Sequence, residues 1–204
     1  MKTLHLILPL MVLGSTVIAI GSPIPSEPIP KQLGGKIVDS KGKTLSETDL
    51  GTYDYFLFYV SADFCAACKP MTREIIDFYN RTAQKKVKVA FILIGRDLEK
   101  ESHTEYLKKN EFPFFTSYWK DLVPLRTHFR AFWYWRGGAP YFYLLKKDGS
   151  CILSQYDWKT EKAASPGETL NSIKEWISRL PNADCRSTLH YEKSMAISRA
   201  EAKK

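Results

Sequence analysis

Residues 53–70 read Tyr-Asp-Tyr-Phe-Leu-Phe-Tyr-Val-Ser-Ala-Asp-Phe-Cys-Ala-Ala-Cys-Lys-Pro, and this stretch decides the fold. Its first eight residues are almost continuously apolar, which is typical of a strand buried on both faces of a sheet. Cys65 and Cys68 follow, at the mouth of a predicted helix, where free N–H groups and the helix dipole stabilise a thiolate. The spacing predicts that Cys65 attacks a disulfide and that Cys68 resolves the resulting mixed disulfide.

Outward from this stretch, strands and helices alternate along the chain. Residues 87–94 and 141–145 are further continuous apolar runs, and residues 148–149 (Asp-Gly) predict a hairpin turn into a strand at 151–156. Helices are predicted from the cysteine pair onward, over residues 98–109 and over residues 166–180. The last of these carries a Ser-x-x-Glu capping box at its start and a proline after its end. Such alternation indicates an α/β fold with a partly parallel sheet.

The N-terminal region predicts export. Residues 1–21 carry one charge, Lys2, and an apolar run that ends near small residues, as in a cleaved signal peptide. The alternative, an uncleaved membrane anchor, is disfavoured because polar residues and Pro9 interrupt the run. Cleavage would leave no stable membrane insertion and would place the protein in the periplasm or outside the cell. A bacterial envelope is favoured over a eukaryotic secretory pathway.

The rest of the chain divides into three predicted parts. Residues 22–35 are a proline-rich linker, with four prolines between positions 22 and 30. Residues 36–185 form one domain that opens with a β-hairpin over residues 36–44. Residues 186–204 are a basic, loosely ordered tail without a clear apolar stripe.

Composition excludes several classes of protein. The 204 residues include 30 Lys and Arg against 22 Asp and Glu, a net charge of +8, but the basic residues are scattered among acids. No nucleic-acid partner is therefore predicted. Four cysteines are too few for a disulfide-stapled miniprotein. There is no second CxxC, and the four histidines do not cluster with the first, so neither zinc, haem nor any other metal is predicted.

These motifs together resemble the thioredoxin-like superfamily. The resemblance rests on residues 53–70, on residues 89–97, and on Gly-Gly-Ala-Pro at 137–140 followed by the apolar run and Lys-Asp-Gly at 147–149. It is nearest to the exported TlpA-like and nucleoredoxin-like thiol-disulfide oxidoreductases. It implies a thioredoxin fold: a mixed central sheet flanked by helices, here with the N-terminal β-hairpin as an extension.

The resemblance also implies roles for individual residues. Pro140 would be a cis proline beside the active-site disulfide, and Ala139 would offer its backbone to an extended substrate peptide. Phe64 stands where the family usually has tryptophan and would also contact substrate. Tyr59 falls where thioredoxin itself has a buried acid, so that proton acceptor is missing. Asp63 would raise the pKa of Cys65 and Lys69 would lower it, and the sequence does not rank the two effects.

The two remaining cysteines predict a structural disulfide. Cys151 opens the second strand of the predicted hairpin, and the last helix runs back along the sheet toward it. Cys185 follows that helix, so geometry permits a Cys151–Cys185 bridge. In an oxidising compartment, two unpaired thiols would be unusual.

The sequence therefore predicts a thiol-disulfide oxidoreductase acting on protein thiols and disulfides. No cofactor is needed, because the cysteine pair itself carries two electrons, but a membrane redox partner would have to recycle it. One alternative is a redox-poor binding module that uses the aromatic run at residues 129–135, which otherwise packs into the core. A second alternative is a copper-delivery protein, since thiolates accept Cu(I).

Overall fold

The structure of the chain is a computed structural model that describes residues 27–85, 87–117, 120–121, 139–157 and 162–180. The described helices are α1 (Ile29–Leu33), α2 (Glu47–Leu50), α3 (Cys68–Ala83), α4 (Lys100–Asn110) and α5 (Pro166–Ser178). The described strands are β1 (Ile37–Val38), β2 (Tyr55–Ser61), β3 (Val89–Gly95), β4 (Phe115–Ser117), β5 (Tyr141–Lys146), β6 (Cys151–Ser154), β7 (Tyr156–Asp157) and β8 (Lys162–Ala163). Within these ranges, no helix has the length and apolar character that crossing a bilayer requires.

Six strands form one mixed sheet in the order β1-β4-β3-β2-β5-β6. The three neighbours β2, β3 and β4 are parallel, whereas β1, β5 and β6 run antiparallel to the strands beside them. The predicted α/β fold with a mixed sheet flanked by helices is confirmed. Because β2 and β3 are parallel neighbours, the loops that leave their carboxyl ends emerge at the same edge of the sheet.

Strand β2 is buried on both faces, as its continuous apolar sequence predicts. Phe56 and Phe58 face one apolar cluster, and Leu57 and Tyr59 face the other. Phe58 stacks on its cross-strand partner Tyr143, with ring centroids 4.6 Å apart. Tyr59 stacks on Phe142 across the other face, at 4.8 Å. Stacked pairs of this kind add about 0.5–1.5 kcal/mol each beyond the burial of their area.

Different elements cover the two faces. The face that includes Phe56 is covered by buried residues of α1, α2 and the segment around β1. The face that includes Leu57 is covered by α3, α4 and α5. On α3, Ile75 and Phe78 supply the buried stripe that the helical spacing predicts. The cysteine pair therefore lies at the N-terminal end of α3, one of the helices that cover this face of the sheet.

The predicted proline-rich linker is wrong over residues 29–33. These residues form α1, and Ile29 and Leu33 are fully buried in the core. The backbone N–H of Ile29 also donates to the carbonyl of Lys147, at 2.9 Å. Proline is compatible with a helix start because the first turn needs no N–H donor, so Pro28 and Pro30 begin this helix instead of preventing it. The domain thus begins before residue 36.

Two predicted turns are confirmed, and each has a glycine with positive φ. The β5–β6 hairpin turns at residues 147–150, where Gly149 has φ of 89°. The N-terminal hairpin turns at Gly42, with φ of 81°, and its second arm is reduced to a single antiparallel bridge between Val38 and Thr44. Its first arm, β1, extends the edge of the main sheet by pairing with β4.

The capping box of α5 is also confirmed. The Ser165 hydroxyl accepts from the backbone N–H of Glu168, and the Glu168 carboxylate accepts from the backbone N–H of Ser165. The predicted signal peptide at residues 1–21 and tail at residues 186–204 lie outside the described residues.

Candidate functional site

The site centres on a disulfide between Cys65 and Cys68, whose Cα atoms are 5.2 Å apart. Cys65 lies in the loop after β2, and α3 begins at Cys68, so only the second cysteine is in the first helical turn. Placing both thiols in the first turn of the helix is therefore correct for Cys68 and wrong for Cys65. The backbone N–H of Cys68 donates to the carbonyl of Cys65 at 3.0 Å, which keeps both residues at the positive end of the helix.

The two sulfurs differ in access to solvent. Cys68 is 1% exposed, whereas Cys65 is partly exposed. A sulfur that a partner can reach suits the attacking role, and a buried neighbouring sulfur suits the resolving role. The burial pattern therefore agrees with the roles that the sequence assigns to each cysteine.

Ala139 and Pro140 lie beside the disulfide, as the resemblance implies. The Sγ atom of Cys65 is 3.1 Å from the carbonyl oxygen of Ala139. The Ala139–Pro140 peptide bond is cis. Strand β5 begins at the next residue, Tyr141, which pairs with Val60 at the end of β2. This pairing explains how a segment 74 residues away from Cys65 arrives next to its sulfur.

Phe64 is 70% exposed, immediately before the nucleophilic cysteine. Leu98, in the loop after β3, is 79% exposed. Among the described residues, these are the two large apolar side chains that remain exposed. Both belong to loops that leave the carboxyl ends of the parallel neighbours β2 and β3, the edge of the sheet at which the disulfide lies. Phe64 was predicted as a site residue from the sequence, and Leu98 was not.

Four buried hydroxyl groups lie beneath Cys68. The Tyr59 hydroxyl is 3.2 Å from the carbonyl oxygen of Cys68, 2.8 Å from the hydroxyl of Thr72 and 2.9 Å from that of Ser61. The Tyr106 hydroxyl closes the cluster, 2.6 Å from that of Ser61 and 2.9 Å from that of Thr72. Burial raises the pKa of both tyrosines, so they stay protonated at neutral pH. Tyr59, which the resemblance places at the position of thioredoxin's buried acid, thus belongs to a cluster of neutral hydroxyl groups.

A buried Asp–His pair adjoins the loop that carries Cys65. Asp97 follows β3 and is fully buried, and its Oδ1 accepts from the backbone N–H of Asp63 at 2.8 Å. Its Oδ2 is 3.2 Å from Nδ1 of His103, which is 2% exposed. The Asp63 carboxylate lies 3.5 Å from the ammonium of Lys109. This pair was not predicted from the sequence. An acid two residues after a buried parallel strand could have indicated that Asp97 lies at this edge of the sheet.

The predicted Cys151–Cys185 bridge stays a prediction, because Cys185 lies outside the described residues. Among the described residues, Cys151 has no disulfide partner. Cys151 is exposed as a residue, but partial desolvation of its thiol raises the pKa to about 11.

The aromatic run at residues 129–135 also lies outside the described residues. Within the described ranges, no three His, Cys, Asp or Glu side chains come together in a group that could hold a metal ion.

Comparisons with known proteins agree with this fold. Residues 53–151 match the family described as Thioredoxin-like. A search of curated protein sequences found no match. Among solved structures, tryparedoxin I from Leishmania major is similar at a TM-score of 0.56 and 18% identity, covering 73% of this chain and 94% of its own. A thioredoxin from Wuchereria bancrofti gives 0.52 and 18%, covering 72% and 96%.

A third structure, tryparedoxin from Trypanosoma brucei, gives a TM-score of 0.55 at 16% identity and covers 73% of this chain and 93% of its own. At such identities the likeness establishes the fold alone. The chain thus has a thioredoxin fold, its residues 53–151 are similar to the Thioredoxin-like family, and a CxxC disulfide follows its central strand β2.

Proposed function

We propose that this protein is a thiol-disulfide oxidoreductase that exchanges disulfides with other proteins through Cys65 and Cys68. The observation that carries the proposal is the arrangement around Cys65. Cys65 is partly exposed, and its sulfur is bonded to that of buried Cys68 and lies 3.1 Å from the Ala139 carbonyl oxygen, two residues before β5. A substrate that reaches this sulfur also reaches the backbone of Ala139.

In the reducing direction, the Cys65 thiolate attacks one sulfur of a substrate disulfide. A bond forms between Cys65 and that sulfur, and the other substrate sulfur leaves as a thiolate that takes up a proton. Cys68 then loses its proton and attacks Cys65, which forms the Cys65–Cys68 disulfide and releases the second substrate thiol. Two electrons pass to the substrate, and the same steps in reverse oxidise a dithiol. The cysteine pair carries both electrons, so no cofactor is required.

Substrate docking is assigned to Ala139, Pro140 and Phe64. The partly exposed backbone of Ala139 can pair with an extended peptide, as at a sheet edge. Exposed Phe64 can cover apolar residues that flank a substrate cysteine.

The proposed setting is outside the cytoplasm. The support is the sequence of residues 1–21, which resembles a signal peptide, and the likeness of residues 53–70 to exported TlpA-like and nucleoredoxin-like oxidoreductases. In that setting a membrane redox protein would recycle the cysteine pair. Determining the N-terminus of the protein purified from its native host tests this part.

Trapping the mixed disulfide tests the proposed reaction. Cys68→Ser removes the resolving thiol, so Cys65 should stay bonded to substrate proteins and appear as higher-mass species on non-reducing gels. All variants carry Cys151→Ser as a background, because Cys151 has a free thiol that could form adducts of its own. Adding Cys65→Ser should remove every trapped species. If Cys68→Ser traps nothing from oxidised substrate proteins, the oxidoreductase proposal is wrong.

A further inference from the structure

We propose that Asp97 and His103 are a positioning pair that holds the Cys65 loop in the geometry for attack on a substrate disulfide. The inference rests on the proposed function, since disulfide exchange is the reaction whose geometry the pair would set. Both side chains act through the backbone of Asp63, two residues before the nucleophile, and neither is assigned contact with substrate.

Asp97 joins two segments that are 34 residues apart in sequence. Its carboxylate is fully buried, and one oxygen accepts from the backbone N–H of Asp63 at 2.8 Å. A carboxylate that accepts a backbone N–H forms one of the stronger hydrogen bonds in proteins. This bond ties the loop after β2 to the end of β3, at the edge of the sheet where the disulfide lies.

His103 holds the second oxygen of Asp97. It projects from α4, is buried, and places Nδ1 3.2 Å from that oxygen. The ring rests on the end of β3, where a Cβ built on Gly95 would lie 2.5 Å from Nδ1 and from Cε1. The ring can occupy this position only because residue 95 is glycine. The absence of a side chain at Gly95 therefore lets the His103 ring pack against β3, the strand that Asp97 follows.

Burial makes this arrangement costly unless it is fully bonded. A carboxylate removed from water needs partners for its oxygens, and a buried pair of this kind contributes little net stability compared with apolar residues of similar size. Phe64 and Cys65, which follow Asp63 directly, are exposed and partly exposed, so packing alone holds them weakly. The bond to Asp63 adds a directed contact to this loop, beside the hydrogen bond from the Cys65 N–H to the Ala62 carbonyl.

An electrostatic role for Asp97 predicts the opposite result from a positioning role. Among the described residues, the charged groups in this loop or beside it are Asp97, the Asp63 carboxylate with Lys109 next to it, and Lys69, which follows Cys68 in the chain. If Asp97 acted only by its charge, removing that charge would lower the pKa of Cys65 and speed exchange at neutral pH. If Asp97 positions the loop, removing its side chain lowers the rate constant of the Cys65 thiolate, and this loss does not depend on the fraction of the thiol that is ionised.

The test is the pH profile of the reaction of reduced Cys65 with glutathione disulfide, followed by mass spectrometry. The profile separates the pKa of Cys65 from the rate constant of its thiolate. For Asp97→Ala we expect the thiolate rate constant to fall about tenfold, since small displacements of a reacting group cost rates of this order. Asp97→Asn keeps an oxygen for the Asp63 N–H, so its rate constant should stay within about twofold of wild type.

Changes at the histidine give a second route to the same result. His103→Ala should lower the thiolate rate constant, and His103→Asn, whose amide can donate from about the position of Nδ1, should restore most of it. Gly95→Ala changes neither Asp97 nor His103 chemically, but its added Cβ displaces the His103 ring, so it should act like His103→Ala. If Asp97→Ala does not fold, these three variants decide the question.

Two controls separate positioning from loss of stability. Asp148→Ala removes a carboxylate that accepts a backbone N–H at the opposite end of the sheet. Ile173→Val weakens the core without touching the site. Both should leave the thiolate rate constant unchanged. Wild-type exchange with an unchanged rate constant in Asp97→Ala and His103→Ala overturns the positioning role alone. Absence of exchange in the wild type overturns the proposed function, and the positioning role falls with it.

Discussion

At each end of the central sheet, an aspartate carboxylate accepts a hydrogen bond from a backbone N–H of a loop. The two bonds differ in how far apart their partners lie in the sequence. At the amino end of β2, the exposed carboxylate of Asp148 accepts from the N–H and hydroxyl of Ser150, two residues away in the same turn. At the carboxyl end, the buried carboxylate of Asp97 accepts from Asp63, 34 residues away. The first bond lies within a turn that the local sequence already favours. The second joins two loops that no local sequence pattern would bring together.

The cysteines follow the same division. Cys65 lies at the carboxyl end, partly exposed and next to the start of α3. Cys151 lies at the amino end, directly after the β5–β6 turn and opposite Leu145. Among the described residues, only the first has a partner sulfur, a helix N-terminus and a neighbouring backbone carbonyl. The proposed redox chemistry therefore belongs to the carboxyl end of the sheet.

Removing each cysteine in turn should give the largest contrast. Cys65→Ser should reduce exchange with glutathione disulfide to the uncatalysed background, because a serine hydroxyl does not form a mixed disulfide at neutral pH. Cys151→Ser should stay within about twofold of wild type by the same assay. An equal loss in both variants would contradict the division between the two ends.

Alkylation of Cys151 should be slow and steeply dependent on pH. Partial desolvation raises the pKa of this thiol to about 11, so the thiolate at pH 7 should be roughly a hundredfold scarcer than for an ordinary thiol. Its reaction with iodoacetamide should rise about tenfold per pH unit up to the region of that pKa. Peptide mass spectrometry after timed alkylation measures this, with a cysteine-containing model peptide as the control. A profile that levels off near pH 9, as that of the model peptide should, would contradict the assigned desolvation.

How much of this division the sequence predicts depends on the range of each contact. The Asp148-Gly149 turn, the α5 capping box and the apolar stripe of α3 are local patterns, and all three were predictable. The Asp97–Asp63 bond joins loops that are 34 residues apart. An acid after a buried parallel strand is a signal for a contact at that edge of the sheet, but no local pattern names its partner. The hydroxyl cluster was predictable only at Tyr59, because Ser61, Thr72 and Tyr106 meet it through tertiary packing.

Helix α1 is the opposite case, in which a local pattern predicts the wrong structure. Pro28 and Pro30 suggest an extended linker when they are counted as composition, yet proline is also compatible with the first turn of a helix. Only the burial of Ile29 and Leu33 against the core distinguishes the two readings. That burial depends on β5 and its turn, which lie more than a hundred residues later in the chain.

Stability should respond unequally to loss of the two carboxylates. Asp97→Ala leaves a buried N–H and a buried imidazole without their partner, which should cost about 2–3 kcal/mol in the free energy of unfolding. Asp148→Ala removes an exposed carboxylate from a turn whose glycine already favours it, so the loss should be about 0.5 kcal/mol. Urea unfolding of both variants measures the difference. Equal losses would mean that the buried contact at the carboxyl end contributes no more than a surface turn.

The smallest effect is expected from the titration of Asp148. Hydrogen bonds from the Ser150 hydroxyl and backbone N–H lower the pKa of this carboxyl below its ordinary value. A lowered pKa in the folded state stabilises the protein above the unfolded value, near pH 3.9, and that contribution is lost as the pH falls through the folded value. Because Asp148 is exposed, water screens the effect to a few tenths of a kcal/mol. Urea unfolding should therefore show a slight advantage of wild type over Asp148→Asn at pH 7 that disappears near pH 2, whereas an advantage that persists at low pH would show that the carboxylate charge contributes nothing to the turn.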